Sequence, residues 1–570
     1  MIRKKFKLES TQLDILLLLI FSSIYFFIFL GTRHLSIPDE GRYPEIAREM
    51  LSSNNWITPK INGIPFLEKP ILYYWIEVLF MKFFGINTWA IRAPIAIFGI
   101  FGITCLYSFG RVLYTRRVAI LASCILATSP IYFLSAHYAN MDLIVANLLW
   151  ISFFFVVLAL KQSRRNKNTR ISMYCAYTFA SLACLTKGLM GVAFPIMVIG
   201  IWIIFTNNWR SLKKLHIMEG FLIICILISP WLYLVIKENP DFLYFYFYYQ
   251  QIYRFIGTGF NNAFGPWFYI TVIMVGILPW SIAIFPAIGK IIKTLNNIQY
   301  ANSSIVLLLI WTISVFIFFS IPKSKIIGYI LPIIAPLSLL IAFYFERLRQ
   351  EKSIILRVLL CLINIITIQM SVALIFYPLY HKPYNLFLCK LFIISGVILL
   401  LISTSSAIFN YKKNLSVCII LTIFYMAIFN ITALVSVPIF DKKTSKPLVE
   451  AVVPLIRKDS VIVSYETYKE DLPLLLQRKI FITHEWNKDI SKSADNWARE
   501  FMYGIQQYKS NHKIKSPKYF ITKNDFYNIW KNKKSIFVFS TIEHYKNLKK
   551  ILIPKPKLIA IKNSNVVFMK

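Results

Sequence analysis

The sequence predicts a polytopic α-helical membrane protein of about thirteen transmembrane helices, followed by a small extracytoplasmic α/β domain. Three observations predict it. The chain of 570 residues is 57% hydrophobic and only 16% charged, where soluble domains carry roughly 25% charged residues, and its mean hydropathy is +0.59. Apolar windows of about 20 residues, the length that crosses a bilayer, recur along most of it. From about residue 440 the pattern changes to short alternating segments typical of strands.

Taken in order, the spans begin near residues 12, 91, 117, 141, 172, 189, 217, 266, 303, 326, 354, 388 and 415. The first is too long for a signal-peptide core and lacks a small-residue cleavage site, so it is read as a retained helix. Alternate loops are basic: RKKFK, RVLYTRR, KQSRRNKNTR, NNWRSLKK, GKIIK, ERLRQEK and YKKN fall on one side. The positive-inside rule makes that side, and the N-terminus, cytoplasmic. An odd number of spans puts the tail outside. Much of the net charge of +37 is thereby an orientation signal and gives no reason to invoke nucleic acid. The eight cysteines lie in or beside apolar segments, which suggests neither a disulfide framework nor a Cys-based metal site. Two domains follow: 1–440 in the membrane, with a long first external loop at 32–90, and 441–570 outside. In the tail, SVIVSY, KIFIT, KYFIT, SIFVF and NVVFMK read as strands, while TSKPLVEAVVPLIRK and DNWAREFMYGIQQYK read as helices. Its basic excess suits an anionic membrane surface.

The external face collects the unusual groups. Asp39, Glu40, Arg42 and Tyr43 follow the first span directly. The run PEIAREMLSSNNW reads as a helix along the interface, with Pro44 at its first position and Ile46, Ala47, Met50 and Leu51 on one face. Pro65 and Pro70 bracket Glu68 and Lys69, and Tyr73, Tyr74 and Trp75 have a composition expected at headgroup level. Asp142 closes the turn HYANMD, and Arg254 ends YFYYQQIYR. Lys187, Lys323 and Lys325 sit in short turns on the side that the orientation rule disfavours, and ionisable groups at bilayer boundaries often mark substrate pathways. Plainer readings stand beside each: a helix-dipole role for Asp39 and Glu40, ordinary surface charge for Glu68 and Lys69, an N-cap for Asp142, an interfacial cation at Arg254. No Walker A, GxGxxG or HExxH pattern is present, so no nucleotide cofactor is expected. An activated substrate outside the cytoplasm must then arrive on a lipid. Lys69, Arg42 and Arg254 suit a lipid-linked phosphate, and the carboxylates suit orienting an acceptor or holding a cation.

PDEGRYPEIAREM, FLEKPILYYW, HYANMD, LTKG and IPKSKIIGYILP, in this order and spacing, resemble the bacterial lipid A aminoarabinose (4-amino-4-deoxy-L-arabinose) transferases. These are GT-C glycosyltransferases related to protein O-mannosyltransferases. The resemblance implies an inner-membrane enzyme that moves an aminosugar from undecaprenyl phosphate to a phosphate of lipid A, the lipid anchor of lipopolysaccharide, on the periplasmic leaflet, with inversion and as a monomer. It makes Asp39 the essential acid with Arg42 and Tyr43 beside it, and Asp142 the second acid. It gives Lys69 and Arg254 to the carrier phosphate and turns Tyr329 toward it. Tyr74, Lys187, Lys323 and Lys325 complete the candidate substrate-binding set. Glu68 would belong to a divalent metal site, although the His that precedes the arginine in the related pattern is missing from YFYYQQIYR. Three alternatives remain open: another aminosugar such as galactosamine or glucosamine, a hexose passed to a protein hydroxyl, and a lipid or sugar transporter.

Overall fold

A computed structural model of the chain describes residues 2–253, 262–295, 304–381, 386–441, 443–486, 496–512 and 517–570. It divides into two compact units. The first comprises Met1–Leu30, Ile95–Ile228 and Asn262–Val437; the second comprises Gly31–Pro94, Ser229–Asn261 and Pro438–Lys570.

The helices in chain order are α1 (Ile2–Phe27), α2 (Asp39–Ser53), α3 (Leu72–Phe84), α4 (Thr88–Leu113), α5 (Arg116–Thr128), α6 (Pro130–Ala136), α7 (Asp142–Ser163), α8 (Arg170–Lys187), α9 (Met190–Thr206), α10 (Ile217–Glu238), α11 (Phe268–Gly276), α12 (Ile284–Leu295), α13 (Ser304–Ser320), α14 (Ile334–Gln350), α15 (Ile354–His381), α16 (Leu386–Tyr411) and α17 (Leu415–Phe440). A helix stands at each of the thirteen expected spans; among the described residues eight are long and apolar enough to cross a membrane by length and composition, or ten if each bent pair is one span. The difference has local causes. Pro130 lacks an N–H and breaks α5 from α6 with a 64° bend, and a 117° bend follows α11 near Pro279. Helices α9 and α13 are apolar but 17 residues long, and α8 carries Ser, Thr and Cys side chains among its apolar ones.

Within the first unit α7 is the central helix. Its hydrophobic window is 89% buried, against 17% for α1, as expected for a helix apolar on every side. Between α15, α16 and α17 the packing uses buried hydroxyls: Thr367 Oγ1 and Ser403 Oγ lie 2.6 Å apart, and Tyr425 Oη donates to the Thr367 carbonyl at 2.6 Å. Where neighbouring lipid is as apolar as the side chains, such bonds contribute to helix association.

The second unit contains the tail sheet and the first loop. Strands β1 (Lys60–Ile61) and β2 (Ile64–Pro65) form a hairpin in the loop. Asn62 and Gly63, with φ of 52° and 89°, make the Asn-Gly turn whose handedness matches strand twist. The tail adds α18 (Lys446–Val452), β3 (Val461–Tyr465), α19 (Leu472–Leu476), β4 (Phe481–Thr483), α20 (Trp497–His512), β5 (Phe520–Ile521), α21 (Lys523–Asn532), β6 (Ile536–Thr541), α22 (Ile542–Ile551), β7 (Lys557–Lys562) and β8 (Asn565–Met569). The sheet order is β5-β4-β3-β6-β8-β7, parallel through β6 and antiparallel beyond it. Strand β3 is buried along most of its length, as parallel strands covered by helices on both faces must be. All five strand segments read from the sequence are present. Edge strand β7 was not among them; its Lys557 and Lys562 are the charges that blunt an exposed edge.

The tail and the first loop interlock. Asn62 bonds both backbone groups of Ile480, at 2.8 and 3.0 Å. A Cβ on Gly41 would stand 2.5 Å from the Asp471 nitrogen, so only glycine lets α2 approach that backbone. Helix α2 departs from the expected amphipathic helix. It begins at Asp39, which leaves Pro44 inside it, five residues past the first position. Ile46, Ala47 and Met50 are buried as expected, but so are Glu45, Arg48 and Glu49. Arg48 bonds both oxygens of Glu45 at 2.6 Å, and Glu49 accepts from the Gly63 nitrogen at 3.0 Å. Tyr73 and Tyr74 are fully buried rather than placed at a headgroup surface.

Candidate functional site

The candidate residues fall into two groups, one in each unit. In the second unit the acid pair at the start of α2 is divided by helix geometry. Glu40 turns inward and is fully buried. Arg92 reaches its two oxygens at 2.7 and 2.9 Å, Arg33 reaches them at 3.1 and 2.9 Å, and the Ser36 nitrogen donates at 2.8 Å. Arg92 also bonds the carbonyls of Arg33 and His34, at 2.8 and 2.9 Å. This ionic knot fixes the chain that enters α2. Asp39 faces the other way and keeps 26% of its side chain exposed.

Arg42, one turn on, bonds Asp39 Oδ1 at 3.1 Å and Glu500 Oε2 at 2.5 Å. Its guanidinium lies over the rings of Tyr43 (5.4 Å) and Phe66 (5.7 Å). Burial pushes the Glu500 carboxyl up, against the pull of Arg42, and the charge of Glu68 adds to the rise. Tyr43 packs edge-on to Tyr73 and Tyr74. The buried Tyr74 hydroxyl has no hydrogen-bond partner among the described residues, which is notable in a group that ordinarily finds one when buried. Glu68 and Lys69 are half-buried in the loop after the hairpin. Arg254 lies outside the described residues.

Beneath this group Tyr73 donates to Glu77 at 2.6 Å. Burial pushes the Glu77 carboxyl up to about 8, opposed by the Tyr73 bond and reinforced by Glu40. The folded protein therefore holds a proton there that the unfolded chain, at the ordinary 4.5, has released. Stability from this group is full below the unfolded value and is lost as pH rises toward 8. We expect Glu77→Gln to flatten the fall in thermal midpoint across that window, as read by thermal unfolding of the purified protein in detergent.

Glu68 is the residue expected at a divalent metal site. Among the described residues no group of three His, Cys, Asp or Glu is placed to hold an ion. Tyr249, in the stretch that lacks the expected His, instead accepts a 2.7 Å bond from the buried guanidinium of Arg499.

In the first unit Asp142 is the first residue of α7. It is not the N-cap, which is Met141 without a side-chain cap bond. Its carboxylate forms an ion pair with Lys187, and its nitrogen takes a 2.9 Å bond to Asn140 Oδ1. The Lys187 ammonium sits 4.4 Å from the centre of the Tyr329 ring. HYANMD, LTKG and KSKIIGYILP, far apart in sequence, thus meet. A Cβ on Gly328 would come within 2.5 Å of Asp142 Cγ, so the turn carrying Tyr329 packs against that carboxylate. We expect Gly328→Ala to leave the fold intact but to lower turnover roughly 100-fold by displacing Asp142, measured by steady-state kinetics.

Lys325 departs from the substrate-binding set. It is 2% exposed, and its ammonium bonds the carbonyls of Phe264 (3.1 Å) and Pro322, so it builds the turn. Lys323 stays exposed. The residues that sequence reasoning missed are Glu500 and Arg499 in α20, with Arg33, Arg92 and Asn140. Glu500 carries no signal in the sequence, since an acid in an amphipathic helix looks like surface charge.

Comparison with known proteins agrees with the motifs. Residues 68–234 match the family described as dolichyl-phosphate-mannose-protein mannosyltransferase. An undecaprenyl phosphate-alpha-4-amino-4-deoxy-L-arabinose arabinosyl transferase of Wigglesworthia glossinidia brevipalpis is 28% identical over 549 residues, 94% of this chain and 93% of that one. A protein of that name, numbered 1, from Proteus mirabilis is 30% identical over 374 residues, 65% of this chain and 66% of its own. The structure of ArnT from Cupriavidus metallidurans bound to undecaprenyl phosphate superposes with a TM-score of 0.81 at 23% identity, over 97% of each chain; the fold is shared.

Proposed function

We propose that this chain, which belongs to the undecaprenyl phosphate-aminoarabinose arabinosyl transferase family of GT-C membrane proteins, transfers an aminoarabinose-like sugar from undecaprenyl phosphate to a phosphate of lipid A. It does so as a monomer at the periplasmic face of the inner membrane. A phosphate oxygen of lipid A forms the new bond to the sugar C1 as the bond from C1 to the carrier phosphate breaks. Undecaprenyl phosphate leaves with that electron pair, and the single displacement inverts C1.

The observation that carries this reading is the division of labour in the acid pair. Glu40 is locked between two arginines, while Asp39 remains accessible and is oriented by Arg42. An acceptor phosphate is already anionic at neutral pH, so no strong general base is needed. Asp39 then supports the positive charge that develops at C1, or aligns the acceptor. Lys69 and Arg254 receive the carrier phosphate, and a cation there stabilises the leaving group. Asp142 holds Lys187 over the Tyr329 ring. Adding an amine to lipid A lowers its negative charge and weakens its attraction for cationic peptides such as polymyxin. Purified protein, supplied with undecaprenyl phosphate-aminoarabinose and lipid A, is expected to yield the modified lipid by mass spectrometry. Absence of product with the wild-type chain in that assay contradicts the reading.

A further inference from the structure

On α13 the residues Val306, Ile310, Ile313 and Ile317 recur at three- and four-residue spacing along one face, and with Ile321 just past its end and Phe205 of α9 they line a groove of about 510 Å3. The lining is almost wholly apolar, and much of it is left uncovered by protein: Ile317 is 52% exposed, Phe205 63% and Ile321 66%. From Val306 to Ile317 the helical stripe covers roughly 17 Å at 1.5 Å per residue, close to the roughly 15 Å depth of one leaflet of a bilayer core. At its end the chain enters the turn 322–325. There Lys323 is exposed, and its ammonium forms no hydrogen bond or salt bridge among the described residues. The backbone of the turn is fixed: the Phe264 nitrogen donates to the Lys323 carbonyl at 3.1 Å, and Ser324 pairs with Ala263. Four residues past Lys325 lies Tyr329, beneath Lys187.

We propose that this groove seats one acyl chain of the acceptor lipid, with Lys323 at its mouth pairing with a phosphate of the same molecule. The inference rests on the acceptor assigned above. A straight acyl chain suits a groove about one leaflet deep, whereas a polyprenyl chain is several times longer and branched. The carrier phosphate already has Lys69 and Arg254 as its assigned cations, which leaves Lys323 for a second anion. Because lipid tails are as apolar as the groove wall, seating a chain there gains little hydrophobic free energy. The groove therefore sets the depth and register of the acceptor, and Lys323 supplies the preference for a phosphate-bearing lipid. From that mouth the turn leads directly to the Asp142, Lys187 and Tyr329 group.

The test uses the full chain in lipid nanodiscs, with steady-state kinetics in donor and acceptor separately. Filling the groove with Ile313→Trp and Ile317→Trp, or removing the charge with Lys323→Gln, is expected to raise KM for lipid A roughly tenfold, the size of one lost charge-assisted hydrogen bond. Donor KM and kcat should hold, and Lys323→Arg should restore the acceptor KM. A rise in donor KM instead would assign the groove to the polyprenyl chain and overturn the proposal. No change in either would mean that ordinary bilayer lipid fills it, which also overturns it. Native mass spectrometry of lipid A retained by the wild-type and tryptophan-filled chains separates this inference from the function it rests on. Loss of retention on filling supports the groove even if no sugar is transferred; equal retention rejects it even if transfer proceeds.

Discussion

Replacing Asp39 with Asn is expected to leave a folded protein whose sugar transfer is slower by roughly 10²–10³-fold, the usual effect of removing one preorganised electrostatic group from a reacting centre. The substitution keeps size and shape at the first residue of α2 and removes only the charge. Among the described residues Asp39 makes one ion pair, with Arg42 at 3.1 Å, and it is partly exposed. Arg42 retains Glu500 at 2.5 Å as its second anchor, so it stays in place. The loss should therefore appear in kcat, with the thermal midpoint little changed.

One residue later the same acid-to-amide change should act in the opposite way. Glu40→Gln leaves Arg33 and Arg92 facing a neutral amide in a fully buried site. Breaking a buried pair by removing one partner costs about 3–5 kcal/mol, because the remaining charge is left uncompensated. With two arginines sharing one carboxylate, the variant is expected to lose most of its folded yield in the membrane fraction, measured by fluorescence-detected size-exclusion chromatography. Any protein that does fold should retain much of its turnover. Two adjacent carboxylates, one substitution each, thus separate chemistry from architecture.

That separation marks the limit of what was legible in the sequence. The stretch PDEGRY declared a site at the end of the first span, but not which acid did what. Both acids follow a proline at a helix start, and only the positions of Arg33 and Arg92 tell them apart. Burial was the second blind spot. Tyr73 and Tyr74 have the composition of an interfacial belt, yet the tail and the first loop form one unit and the two rings lie inside it. For the same reason Glu45, Arg48 and Glu49 look like the solvent face of α2 and are instead a buried ionic network. Periodicity served well where a single period dominated. It located every long apolar helix and the five tail strands it singled out. The spans expected near 117 and 266 are bent helix pairs, the first at Pro130, and those near 172, 189 and 303 are short helices, α8 carrying hydroxyls and thiols. Contacts between distant motifs, such as Lys187 with Asp142 or Arg42 with Glu500, have no local signature at all.

The central claim is that Asp39 supports transfer of a pentosamine to lipid A. Mass spectrometry of lipid A from cells carrying the intact gene, a deletion and Asp39→Asn tests it most directly. The account predicts a pentosamine adduct with the intact gene and its loss in both of the others. Lipid A of the same mass in all three strains would contradict it.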